Sequence, residues 1–281
     1  MGRIRNTIEL AKTSWGVLQK DRELIALPVI GFVLTLIVVA VFFIPGLLIA
    51  DLGSETDAAL GEEEAIPAAS GLLFLLGALG AGVVSIFFSG AVIAGAHERM
   101  SGGDPTIGSS IRKAVQRIPG LVPWALLTTT VGLIISALRE RAEGLGRFLL
   151  GGIELAWDVT TYLTVPAIII DGQGPIGGLR ESAGLLKRTW GENLASRVGF
   201  GIVGFVAALP AVALIAVAVA SGVDAFVVAG VLLGGLWLAL VVAVMSTLGG
   251  IFKTALYLYA TTGQSPEGFE RADLGATFTR R

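Results

Sequence analysis

Residues 25–50 read IALPVIGFVLTLIVVAVFFIPGLLIA, an apolar run without a single charge. A helix needs roughly 20 such residues to cross the hydrocarbon of a bilayer, where each backbone N–H and C=O must find its partner inside the segment. The run is also too long for the core of a cleaved signal, which spans about 7–15 residues. It therefore reads as a first transmembrane helix.

Five more runs of the same kind follow. Residues 65–96 carry no charge, and that stretch is long enough to tilt, bend or outrun the bilayer. Residues 118–138 form a third span. Residues 148–170 form a fourth, interrupted by Glu154 and Asp158, and residues 198–223 and 225–252 form a fifth and sixth, separated only by Asp224. The composition agrees: 54% of the 281 residues are hydrophobic and 15% are charged, against about 25% charged in a soluble domain. The mean hydropathy is +0.80. The expected fold is an all-α membrane bundle over residues 1–281, with six transmembrane helices in three hairpins.

Orientation follows from the Lys and Arg residues. Of the 20, all but Arg139, Arg141 and Arg147 fall on one side of the spans; the first loop on the other side is purely acidic, with Asp51, Glu55, Asp57, Glu62, Glu63 and Glu64. The positive-inside rule puts the basic side, and with it both termini, in the cytoplasm of a cell-membrane protein.

Three exits from the membrane look alike: Gly102-Gly103-Asp104-Pro105, Gly172-Gln173-Gly174-Pro175 and Gly263-Gln264-Ser265-Pro266. In each, glycine ends a helix and proline can open the next, where its missing N–H costs nothing. Amphipathic stretches follow the first two exits. Their apolar residues are Ile107, Ile111, Ala114 and Ile118, then Ile176, Leu179, Ala183, Leu186 and Trp190. The N-terminus matches with Ile4, Ile8, Ala11, Trp15 and Leu18, and Lys12-Thr13-Ser14-Trp15-Gly16 parallels Lys187-Arg188-Thr189-Trp190-Gly191. Spacings of three and four place one apolar stripe on each helix. The reading is three units, 1–102, 103–172 and 173–262, with a tail at 263–281. Each unit is an amphipathic helix, over 3–20, 105–118 or 175–190, followed by a membrane hairpin. These helices are expected to lie in the cytoplasmic interface, anchored by Trp15 and Trp190, with basic faces toward anionic lipid headgroups.

The chain also resembles a family of bacterial and archaeal six-helix membrane proteins of unknown function. The resemblance runs through Trp15, Lys20-Asp21-Arg22-Glu23-Leu24, Pro28, Gly102-Gly103-Asp104-Pro105-Thr106, Ala156-Trp157, Thr160-Thr161-Tyr162, Val165-Pro166, Gly174-Pro175, Lys187-Arg188-Thr189-Trp190-Gly191-Glu192, Ala255-Leu256-Tyr257-Leu258-Tyr259-Ala260 and Gly268-Phe269. It implies the six-helix topology and no mechanism.

Chemistry-bearing residues are few. There is no cysteine and one histidine, His97, so no metal or cofactor is expected. His97 sits at a charged helix end and reads as a surface residue, because a hydrolase would need a nucleophile with its orienting partners. No nucleic-acid motif is present. Ionisable groups inside a membrane are the default functional candidates. Arg147, Gly151, Glu154 and Asp158 share one face of the fourth span, extended by Tyr162, and Thr129 of the third span lies at the depth of Asp158. Thr129 is expected to reach Asp158, and Arg139, Arg141 or Arg147 to pair with Glu154.

Two functions follow. One is a non-enzymatic protein that organises lipids, or an unidentified membrane or cytoplasmic protein partner, through its basic amphipathic collar. The other is a small proton- or cation-coupled transporter with Asp158 as its intramembrane site. The small-residue faces Gly77, Ala81, Ser85 and Ser89, and Gly230 with Gly234, read as helix-packing surfaces.

Overall fold

The computed structural model describes residues 12–60, 67–189 and 197–269, and among them all regular structure is helical. Helix α1 covers residues 12–20 and leads through a 3-10 turn, Arg22–Ile25, into α2 (Ala26–Leu60). Then come α3 (Ala68–Met100), α4 (Ile107–Gln116), α5 (Ile118–Arg141), α6 (Leu145–Thr160) and α7 (Thr164–Asp171). The chain continues as α8 (Pro175–Thr189), α9 (Arg197–Ala220) and α10 (Asp224–Thr262). Among the described residues, six segments are long and apolar enough to cross a membrane: α2, α3, α5, α6 taken with α7, α9 and α10. The protein is an all-α, multi-pass membrane bundle. Trp190 and the N-terminal residues 1–11 lie outside the described residues.

Helix α2 packs along α3, and α9 along α10. Small residues on one helix receive large ones from the other. A Cβ at Gly77 would lie 2.8 Å from the Phe43 ring, and one at Gly46 would lie 2.6 Å from the Phe74 ring. The Phe43 and Phe74 rings themselves meet at 5.1 Å between centroids. Gly230 and Gly234 face α9, close to Ala218 and Ile215. Close backbone approach of this kind drives helix association where lipid removes the hydrophobic drive.

The core sits at one end of the bundle. It gathers Leu24 and Leu27, Phe88 to Met100 of α3, Leu121 and Trp124 of α5, Leu163 to Ile169, Leu248 to Tyr257 of α10, and Phe269. This is the end that carries most of the Lys and Arg. Toward the other end the same helices expose their large apolar side chains, Val29 to Leu52 on α2 and Phe226 to Val242 on α10 among them. Those side chains need an apolar solvent, which a bilayer supplies. Helix lengths fit this division. At 1.5 Å per residue, the 33 residues of α3 and 39 of α10 reach roughly 50 and 58 Å, against roughly 30 Å of hydrocarbon. Both helices cross and continue into the packed end.

One sequence expectation needs correction here. The fourth span is not one helix: it breaks at residues 161–163 between α6 and α7. Pro166 falls in the first turn of α7, where its absent N–H leaves no bond unmade. Much of each amphipathic stripe packs on the core, through Leu18, Ile107, Ile111, Ala114, Leu179 and Leu186. On α8 the buried residues are Gly178, Ser182 and Leu185, while Ile176 is exposed. On α1 they are Ser14, Val17 and Leu18, while Trp15 is 44% exposed. Small, polar and apolar residues share these contacts, and Trp15 and Ile176 face outward. Ile118 opens α5, as expected for the start of the third span.

Candidate functional site at the basic end

The chain turns sharply where it leaves each long span. Gly102, Gly172 and Gly263 all adopt left-handed backbone, with φ of 81°, 71° and 73°, a conformation glycine enters without a Cβ penalty. The first two turns fold a short helix back onto the span just completed: α4 onto α3, and α8 onto α7. Contact is close in both. A Cβ at Gly95 would stand 2.6 Å from Ser110 Oγ, and one at Gly178 would stand 3.1 Å from the Thr164 carbonyl oxygen.

Arg99, in the last turn of α3, ties this end together. Its Nε and one terminal nitrogen donate to the two carboxylate oxygens of Asp21. The same terminal nitrogen donates to Asp104 at 2.7 Å. Asp21 is buried, its side chain 3% exposed, whereas Asp104 is 93% exposed. The forked, bidentate pairing is the geometry that best repays desolvation of a carboxylate. One guanidinium thereby joins the start of the first span, the end of the second and the turn between α3 and α4.

A cleft of about 400 Å³ lies between α3 and α4. Its walls include His97, Glu98, Ser109, Arg112, Lys113 and Gln116. Ser109 donates to Glu98 at 2.8 Å. Thr106 and Ser109 close a reciprocal cap on the start of α4, with both bonds at 3.0 Å. His97 is thus a wall residue of a cleft, a role its place at a helix end did not reveal.

The break in the fourth span is held by α8. Ser182, fully buried, accepts from the Leu163 backbone N–H at 3.1 Å and donates to the Thr160 carbonyl at 2.6 Å. One hydroxyl so satisfies a donor and an acceptor released by the interruption. Around it, Lys253 of α10 places its ammonium 4.9 Å from the centre of the Tyr162 ring. Tyr257 donates to the Asp171 carboxylate, and Arg117 donates to the Ile169 carbonyl at 3.3 Å.

The residues singled out from sequence are dispersed. Glu154 pairs with Arg139, one of the three partners expected for it. Trp157 of α6 stacks on Trp124 of α5, 6.2 Å between ring centroids. Arg147 is exposed near the start of α6. Asp158 lies in the last turn of α6 with its side chain outward, beside the break rather than within an unbroken span. Thr129 does not turn to it: its hydroxyl packs against Gly82 of α3, filling the space a Cβ there would need. Among the described residues no group of three or more His, Asp or Glu side chains is placed to hold a metal ion. Asp21, Arg99 and Ser182 were missed. Asp21 and Arg99 stand 78 positions apart, and no local spacing connects them.

Neither a curated protein nor a solved structure matches the chain. One family profile does, the "Family of unknown function (DUF6159)", over residues 68–269. That stretch runs from the start of α3 through Phe269 and takes in the cleft, the helix break and the packed basic end. The chain is a multi-pass membrane protein belonging to this family.

Proposed function

We propose that the protein is a non-enzymatic component of the cell membrane that gathers anionic lipids, and through them partner proteins, at a basic cytoplasmic end. The observation that carries this reading is the concentration of the main packed cluster at the end bearing most of the cations. A packed, ion-paired end presents fixed charge to a membrane surface, where each Lys or Arg near anionic lipid is worth about 1 kcal/mol. Exposed Trp15, Val115, Ile118 and Ile176 at the same end supply apolar contacts for the interface. In this reading the short helices α1, α4 and α8 form the collar of three related units.

The alternative, a transporter centred on Asp158, draws support from the broken fourth span, since interrupted helices line substrate sites in many transporters. The support is weakened by Ser182, which occupies the Leu163 donor and the Thr160 acceptor that such a site would offer to a ligand.

Lipid analysis of detergent-free native nanodiscs tests the proposal. The discs containing this protein are expected to be enriched in anionic phospholipid relative to the membrane they came from. Replacing Lys20, Arg22, Arg180 and Lys187 by Gln is expected to reduce that enrichment. A lipid composition equal to that of the bulk membrane would reject the reading.

A further inference from the structure

We propose that the cleft between α3 and α4 binds the phosphate of a glycerophospholipid headgroup, with Arg112 and Lys113 as the cations that hold it. The inference deepens the reading above and rests on it.

The argument is an inventory of donors and acceptors. The acceptors at the α3 end of the cleft are engaged. The His97 carbonyl accepts from the Ser101 N–H at 3.0 Å and from the Ser101 hydroxyl at 2.8 Å. The Glu98 carbonyl accepts from the Gly103 N–H at 2.9 Å. The Glu98 carboxylate accepts from Ser109. The start of α4 is closed by its own cap, so the helix terminus is not the site.

The donors differ. Arg112, Lys113 and His97 all line the cleft, and among the described residues neither Arg112 nor Lys113 forms an ion pair. Lys113 is partly buried along the wall of the cleft and Arg112 is exposed at its edge. Glu98 brings one negative charge to the lining and Arg112 and Lys113 bring two positive ones, so the cleft keeps a net positive charge and favours an anion. A phosphodiester fits, because a guanidinium can grip its two non-bridging oxygens while an ammonium shares one of them.

The surroundings favour a lipid as its source. Val115, 48% exposed, lies three residues beyond Arg112 on the same face of α4, and Ile118, 39% exposed, follows at the start of α5. Acyl chains can run past these side chains while the phosphate stays in the cleft. Free phosphate would use the cations and leave the apolar rim unused.

The test uses the full chain in a neutral detergent, with thermal unfolding followed by tryptophan fluorescence. Three probes are titrated: a short-chain phosphatidylglycerol, diacylglycerol with the same chains, and inorganic phosphate. Phosphatidylglycerol is expected to raise the midpoint saturably. The double variant Arg112→Gln, Lys113→Gln is expected to raise its half-saturating concentration about thirtyfold, the product of two surface cations. Diacylglycerol is expected to give no saturable shift, and inorganic phosphate to act only at far higher concentration.

A change under about threefold in the double variant, or an equal effect of diacylglycerol, would overturn the proposal. Saturation by inorganic phosphate at the lipid's own concentration would overturn the lipid assignment. Lys113→Gln alone, expected to weaken binding about fivefold, carries the test if the double variant fails to fold. Anionic enrichment in nanodiscs that persists in the double variant, with its titration unchanged, would remove this site and leave the broader reading standing.

Discussion

Arg99→Ala is expected to lower the stability of the solubilised protein by about 3–5 kcal/mol, the cost of leaving a buried carboxylate without its cation. Asp21 has nowhere to turn: its side chain is 3% exposed, and Arg99 supplies both of its bonds from that guanidinium. Arg99→Lys should recover only part of the loss, since an ammonium cannot make the forked contact. Removing both charges, as Asp21→Leu with Arg99→Leu, should recover most of it, because no unpaired charge then remains. Arg139→Ala is the internal control. Its pair with Glu154 is 39% and 46% exposed and should be worth less than about 1 kcal/mol. Thermal unfolding of the four variants in one detergent checks the set. Equal losses for Arg99→Ala and Arg139→Ala would show that Asp21 is not buried as described.

Ser182→Ala is expected to cost about 2–4 kcal/mol, because it leaves the Leu163 N–H and the Thr160 carbonyl without the partner that holds the break. Ser110→Ala supplies the contrast. Ser110 is also buried, at 1% exposure, but its hydroxyl finds no hydrogen-bond partner. Removing an unsatisfied hydroxyl should leave stability unchanged or raise it. The same substitution, at two buried serines on two short helices, should therefore have opposite signs. A loss at Ser110 equal to that at Ser182 would mean that packing, not the break, governs both sites.

The spans were legible because the membrane imposes a simple demand on them. A run such as residues 25–50 must satisfy its own backbone and expose apolar side chains, and both requirements are written in residue type. The left-handed turns at Gly102, Gly172 and Gly263 were legible for a similar reason: the residue type carries the conformation. The break at residues 161–163 was not. Its one signal, Pro166, is ambiguous beside Pro45, Pro123 and Pro210, each of which sits inside a continuous helix. What separates them is Ser182, brought from another helix, and tertiary contacts leave no period in the sequence. The buried faces of α1 and α8 were legible only in part: Leu18, Leu179 and Leu186 pack on the core, but hydrophobicity did not mark the small and polar residues beside them. In this bundle Ser14, Gly178 and Ser182 make the close contacts while Trp15 and Ile176 face outward. The candidate site was the least legible part. Thr129 and Asp158 were matched by depth alone, and depth does not fix which way a side chain points. The Asp21–Arg99 pair joins residues that only the folded chain brings together.

The central claim is that the packed, basic end of the bundle stands on the cytoplasmic side, with the turns of α3/α4 and α7/α8 and the end of α10 all there, and the α9/α10 turn opposite. The chain has no cysteine, so single cysteines can be placed at will and read with a membrane-impermeant thiol reagent in intact cells. Ser101, Gln173, Gln264 and Ser221 are all exposed turn residues. Ser101→Cys, Gln173→Cys and Gln264→Cys should be protected until the membrane is opened, and Ser221→Cys should label at once. Labelling of any of the first three in intact cells, or protection of Ser221→Cys, would contradict the account.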